Sequence, residues 1–296
     1  MIKGSDIARV LLALVILAVV GGVVLWRVTA HAPPAITAAP PPAVPSPLGC
    51  KDAGWDAATE ANRRSLATLT WSPFGIPEVG WETYAPLIRR EIGSACGPET
   101  AAFASGMAAW QHRRNRPIDG VFKPDDFHQM LAEMELRRPF VQQTAKGLCP
   151  AAPADTALAS AAPGEAYGAK PVELREGALA AWRRMYAAAR SAGLAHGEVL
   201  KLVSGFRGPA EEAARCADGG CNTRTRAHCS AHRTGLAMDL YLDHLPGQDV
   251  TSTANANRAA MARTPAYRWL VANADRFGFL PYPFEPWHWE WTGEPP

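Results

Sequence analysis

Three short segments in the C-terminal half carry the side chains best able to do chemistry. The first is Ser204-Gly205-Phe206-Arg207, at the end of an apolar run. The second is Ser230-Ala231-His232-Arg233-Thr234-Gly235-Leu236-Ala237-Met238-Asp239, and the third is Glu285-Pro286-Trp287-His288-Trp289. Gly235 permits a turn, after which Leu236 to Leu240 alternates as a strand. Asp239 then shares a face with Ala237, a small neighbour that leaves room beside the carboxylate. His232 sits across that turn. On a strand, Trp287, Trp289 and Trp291 take one face while His288 and Glu290 take the other. Pro286 prevents Glu285 and His288 from sharing an ordinary helix, so a turn entering a strand must present them. Two imidazoles and one carboxylate suit a zinc ion with an open fourth position. Such an ion acidifies a bound water and polarises a carbonyl. The chemistry then needs a base that is not a ligand, for which Glu285 is the nearest candidate. It also needs a fixed cation for the developing oxyanion, which Arg207 can supply.

Several elements must hold these groups. A long helix is expected near Val172 to Ala192 and short strands at Leu200–Phe206 and Leu236–Leu242. A helix over Asn255 to Phe277 and a final strand at Trp287–Trp291 complete this half. The whole chain has 296 residues, 48% hydrophobic and 20% charged, enough to bury a sizeable core. That composition excludes a disordered, collagen-like or polytopic membrane protein. A net charge of +2 gives no electrostatic case for nucleic acid as a partner.

Composition also marks the boundaries. Val10 to Trp26 is a charge-free run of 17 residues, about 25 Å as a helix and at the low end of what crosses a bilayer. Residues 1–30 therefore read as a cytoplasmic stub and transmembrane anchor, with a cleaved signal peptide as the alternative. A Pro-rich linker follows over 31–50, then a mainly helical domain over 51–149, an Ala/Pro linker over 150–170 and the chemically equipped domain over 171–296. Either reading of the N-terminus exports the rest of the chain, at the inner membrane and facing the periplasm if the anchor is kept. Disulfides are then the default for Cys50, Cys96, Cys149, Cys216, Cys221 and Cys229. Three lie on each side of the second linker, so complete pairing requires a bond between the halves. A structural zinc site from Cys216, Cys221, Cys229 and His228 or His232 is the alternative, although its spacing fits no common zinc ribbon.

Taken together and in this order, the three segments resemble those of the VanY-type zinc D-alanyl-D-alanine carboxypeptidases. That family carries Ser-Gly-aromatic-Arg, then Ser-x-His-x-x-Gly-x-Ala-x-Asp, then Glu-Pro-Trp-His. The resemblance covers roughly residues 171–293. It implies an α+β catalytic domain of the DD-peptidase/hedgehog-like kind, with a mostly antiparallel sheet and flanking helices. It also implies one Zn2+ per chain on His232, Asp239 and His288, with Glu285 as general base and Arg207 stabilising the transition state. Ser230, Ser204, Trp287 and Trp289 would contact substrate. Two features depart from the pattern: the Arg207–Ser230 stretch is short and carries Cys216 and Cys221, and Glu290 stands where a basic or neutral residue is expected. In the helical region, Gly97-Pro98-Glu99-Thr100, Trp110-Gln111, Asp119-Gly120-Val121-Phe122 and Leu131 are similar to the helical peptidoglycan-binding repeat. The expected activity is hydrolysis of peptidoglycan stem peptides, by removal of a terminal D-alanine. Endopeptidase cleavage and a non-catalytic wall anchor are the alternatives.

Overall fold

The computed structural model describes residues 49–50, 54–217, 221 and 228–296. The expected anchor over 1–30 and most of the Pro-rich linker lie outside these residues. Among the described residues, no helix is long and apolar enough to cross a membrane.

The helical half contains α1 (Asp56–Thr68), α2 (Ala85–Glu91), α3 (Ala101–Arg113), α4 (Pro124–Leu136) and α5 (Pro139–Thr144). A two-stranded ribbon, β1 (Thr70–Trp71) and β2 (Glu78–Val79), joins α1 to α2. Trp81, Tyr84, Phe103, Trp110 and Phe127 are fully buried here and Phe122 nearly so. Trp110 and Phe122 are therefore core residues. Gln111, beside Trp110, is also buried. Its Oε1 accepts from the backbone N–H groups of Asp119 and Gly120 at 3.1 and 2.9 Å, fixing the Asp119-Gly120 turn. Within the motif of this half, Trp110 and Phe122 pack the core and Gln111 holds a turn.

The Ala/Pro stretch expected as a linker is folded. It carries β3 (Leu158–Ser160), which pairs antiparallel with β4 (Glu173–Arg175), and Ala166 is buried. The two halves share one continuous core, and the described residues fall in one compact unit. After β4 come α6 (Glu176–Ser191), β5 (Leu202–Ser204), α7 (Pro209–Cys216), β6 (Ala237–Leu240), α8 (Asn255–Arg263), α9 (Pro265–Asn273), β7 (Phe279–Pro281) and β8 (His288–Trp291). The single helix expected over Asn255–Phe277 is two α-helices and a short 3₁₀ turn. Pro265 cannot continue a helix from the preceding turn, and the Thr264 side chain caps the new one by accepting from Tyr267 N. The main sheet has the order β5-β6-β8-β7 and is antiparallel throughout. With the helices around it, this is an α+β fold.

All six cysteines are paired, as Cys50–Cys96, Cys149–Cys229 and Cys216–Cys221. The cysteine-based zinc site is thereby displaced, its sulfurs being consumed in S–S bonds. Cys149–Cys229 is the bond between the halves that complete pairing requires. A buried ion pair also joins them. Arg258 on α8 donates to Glu78 of β2 at 2.7 Å, to the Tyr84 hydroxyl at 3.0 Å and to the Phe284 carbonyl at 3.1 Å. Removing one partner of such a pair strands a charge in the core, at about 3–5 kcal/mol. Arg258→Met should therefore lower unfolding free energy by that amount in urea titration, and Glu78→Gln/Arg258→Met by clearly less. Equal losses would show that the ion pair does not hold the halves together.

Candidate active site

Strand register sets the site. Asp239 of β6 lies directly opposite His288 of β8, and Ser204 of β5 lies opposite Asp239 on the other side. Period-two alternation sends Met238 and Trp289 into the core while Asp239, His288 and Glu290 face away from it together. His232 arrives from a 3₁₀ turn, Ala231–Thr234, which ends at Gly235 with φ of 69°. Ser230 caps this turn, its hydroxyl accepting from His232 N at 3.3 Å. Cys229 anchors the turn to Cys149. From behind, the buried Glu212 of α7 accepts from Ser230 N at 3.0 Å and from the Arg233 guanidinium.

Donor atoms of His232, Asp239 and His288 all lie within 4.8 Å of one another, and all three residues are buried. Each imidazole has one nitrogen committed to a fixed acceptor. His232 Nδ1 donates to the Gly205 carbonyl at 2.7 Å, leaving Nε2 facing Asp239 Oδ1 at 3.4 Å. His288 Nε2 lies 3.3 Å from Glu290 Oε1, and its Nδ1 faces Asp239 Oδ1 at 3.1 Å. Two ring nitrogens and one carboxylate oxygen therefore converge with their orientations already set, the arrangement that a tetrahedral metal with N and O ligands requires. The donor set fits a divalent cation.

Electrostatics agree with this geometry. Burial pushes the Asp239 carboxyl up, but the charge and hydrogen bonds of the two imidazoles overcome it and hold Asp239 well below the carboxylate range. Burial lowers His232. The same burial at His288 is outweighed by its bonds to Asp239 and Glu290, which push it up to about 9. A positive charge is thus favoured at the centre of these acceptors. Glu285 differs from them: burial pushes it up to about 7, with His288 partly opposing. It sits in the β7–β8 turn, where its N–H donates to Tyr282 O at 3.1 Å and its own carbonyl accepts from His288 N at 2.9 Å. Its carboxylate lies 4.0 Å from His288 Nδ1. A carboxyl that titrates near neutrality beside three metal-capable donors is suited to carrying a proton both ways.

These groups line a cleft of about 770 Å³. Arg207, Ser204, Ser230 and Trp287 line it as well, and the Arg207 guanidinium lies 3.5 Å from each serine hydroxyl. Trp289 is elsewhere: it is fully buried on the core face, its indole N–H donating to the Pro286 carbonyl at 3.1 Å. Glu212, the Gly205 carbonyl, and Arg138 with Glu135 from the helical half are site components that sequence reasoning missed.

Three clustered donors, a separate carboxyl and a guanidinium around one cleft are the equipment of a hydrolase. Residues 171–294 match the VanY family model, described as D-alanyl-D-alanine carboxypeptidase. The resemblance carried by the three motifs is thus shown for this segment, as a carboxypeptidase-type peptidase domain. Among solved structures, the chain is similar to one described as "Structure of the LdcB LD-carboxypeptidase reveals the molecular basis of peptidoglycan recognition". Identity to it is 24% and the TM-score 0.31, over 41% of this chain and 60% of that chain. The chain therefore spans about three-fifths of that relative's length. No curated protein matches the chain.

Gly205 is under a tight constraint. A Cβ there would stand 2.2 Å from the Glu173 carbonyl, so any side chain must displace the backbone that holds His232. Gly205→Ala is expected to cost about 1–3 kcal/mol as overpacking. Thermal unfolding reads this loss, and an unchanged midpoint would mean that the strand yields without cost.

Proposed function

We propose that the chain is an exported zinc-dependent peptidase of peptidoglycan stem peptides, removing the terminal D-alanine as a D-alanyl-D-alanine carboxypeptidase. The convergence of His232, Asp239 and His288 beside Glu285 in one cleft carries this reading. The family match over residues 171–294 supports the substrate class. Zinc on these three residues would supply Lewis acidity, acidifying a water and polarising the scissile carbonyl. Glu285, poised near pH 7, accepts the proton of the attacking water and passes it to the leaving amine. Arg207 donates to the carbonyl oxygen as charge develops there, and the same guanidinium lies within reach of Ser204 and Ser230. The two hydroxyls and Trp287 would hold the end of the substrate. Three disulfides suit an oxidising compartment. The apolar run at Val10–Trp26 would anchor the chain in the inner membrane with the catalytic part in the periplasm. The helical half would add contact with the wall through its likeness to the peptidoglycan-binding repeat.

Mass spectrometry of muropeptides incubated with the protein, with zinc and with a chelator, tests the assignment. Loss of one alanine from pentapeptide, abolished by chelator, is expected. Cuts inside the stem or at cross-links would replace it with the endopeptidase reading. Glu285→Gln should keep one zinc per chain by elemental analysis while hydrolysis falls about 10²–10⁴-fold. His288→Ala should lose the zinc itself. Activity retained in Glu285→Gln would remove Glu285 from the mechanism.

A further inference from the structure

We propose that Arg138, contributed by the helical half, is a positioning residue for the metal-capable centre and acts on His288 through Glu290. The proposal rests on the metal-site reading of His232, Asp239 and His288.

Arg138 is buried, its side chain only 6% exposed. Pro139 disfavours helical geometry in the residue before it, and Arg138 accordingly adopts ψ of 121°. This ends α4, starts α5 and places the Arg138 side chain at the cleft. Its Nε donates to Glu290 Oε1 at 3.1 Å, and Nη2 pairs with the same oxygen. His288 Nε2 reaches that oxygen from the other side at 3.3 Å. Glu135 holds Nη1, and the guanidinium lies over the Tyr282 ring, 4.4 Å from its centroid. Tyr282 in turn meets the His288 ring edge-on at 5.9 Å.

An imidazole that binds metal through Nδ1 must carry its hydrogen on Nε2. The acceptor of that hydrogen sets both the tautomer and the plane of the ring. Glu290 is that acceptor here, and a carboxylate has two rotatable oxygens that need their own partners to stay in one orientation. Arg138 provides this restraint from a residue 152 positions away in the chain. The interaction also accounts for Glu290, the acid found where a basic or neutral residue was expected: the basic group is supplied from the other half.

Zinc affinity of the full chain, measured by competition with a chromophoric chelator, tests this without reference to hydrolysis, with near-UV circular dichroism reporting native packing. Wild type should bind one zinc. Arg138→Met should bind it about 10–100-fold more weakly with packing retained, and Arg138→Lys, which can still donate to Glu290, should recover part of the loss. If Arg138→Met does not fold, Arg138→Met/Glu290→Gln removes the stranded charge and should show the same weakening. Affinity within twofold of wild type in a folded Arg138→Met or double variant overturns the proposal alone. A wild-type chain that binds no zinc overturns the metal reading and this proposal with it.

Discussion

The register of β6 against β8 is the constraint on which the rest of the structure depends. Asp239 and His288 are cross-strand partners, so the cluster of metal-capable donors exists only in this pairing. A slip of one residue would turn Met238 and Trp289 toward the cleft and send a carboxylate and an imidazole into the core. The buried Trp289 of β8 and the apolar face of β6, Met238 and Leu240, make that exchange prohibitive. The apolar side of the sheet therefore enforces the order of the polar side. Ala237 contributes by remaining small opposite Glu290, in the row next to the donors.

The site is also a charge arrangement assembled out of water. Asp239, Glu285, Glu290, His232, His288, Arg138 and Arg207 meet where burial alone would penalise each of them. They are retained because each meets a partner: Arg138 faces Glu290, Glu290 faces His288, His288 faces Asp239, and the imidazole of His232, held toward its neutral form by burial, faces Asp239 on the other side. Glu285 lies beside this chain, its carboxylate 4.0 Å from His288 Nδ1, and burial dominates its titration. One carboxylate is thereby set to hold and another to exchange protons.

Much of this was legible in the sequence, because it is local. Alternation around Asp239 and His288 marked the polar face of each strand, and Gly235 marked the turn that returns His232 to them. The helix break at Thr264-Pro265 carried a readable signal, a capping residue followed by a proline. Trp289 shares its strand face with Trp287 in pattern, yet only Trp287 reaches the cleft, a difference of position along the strand that alternation does not encode. The fold of residues 150–170 was hidden for another reason. A three-residue strand among alanines and prolines has no periodicity to detect, and its partner β4 supplies the order. Arg138 and Glu212 could not be found at all from spacing, since their value lies in what the tertiary fold sets beside them.

The position of β8 in both the chain and the sheet has a consequence for biogenesis. Among the described elements β8 comes last in chain order, yet it lies between β6 and β7 rather than at an edge. When the chain is delivered N-terminus first, β6 must wait with one edge unpaired, and β7 has no strand to join. Glu78 and Arg138 likewise wait for partners about 150 or more residues downstream. Contacts of such separation are slow to close. Folding therefore finishes at the metal-capable cluster itself, and a chain interrupted before His288 holds at most two of its three donors.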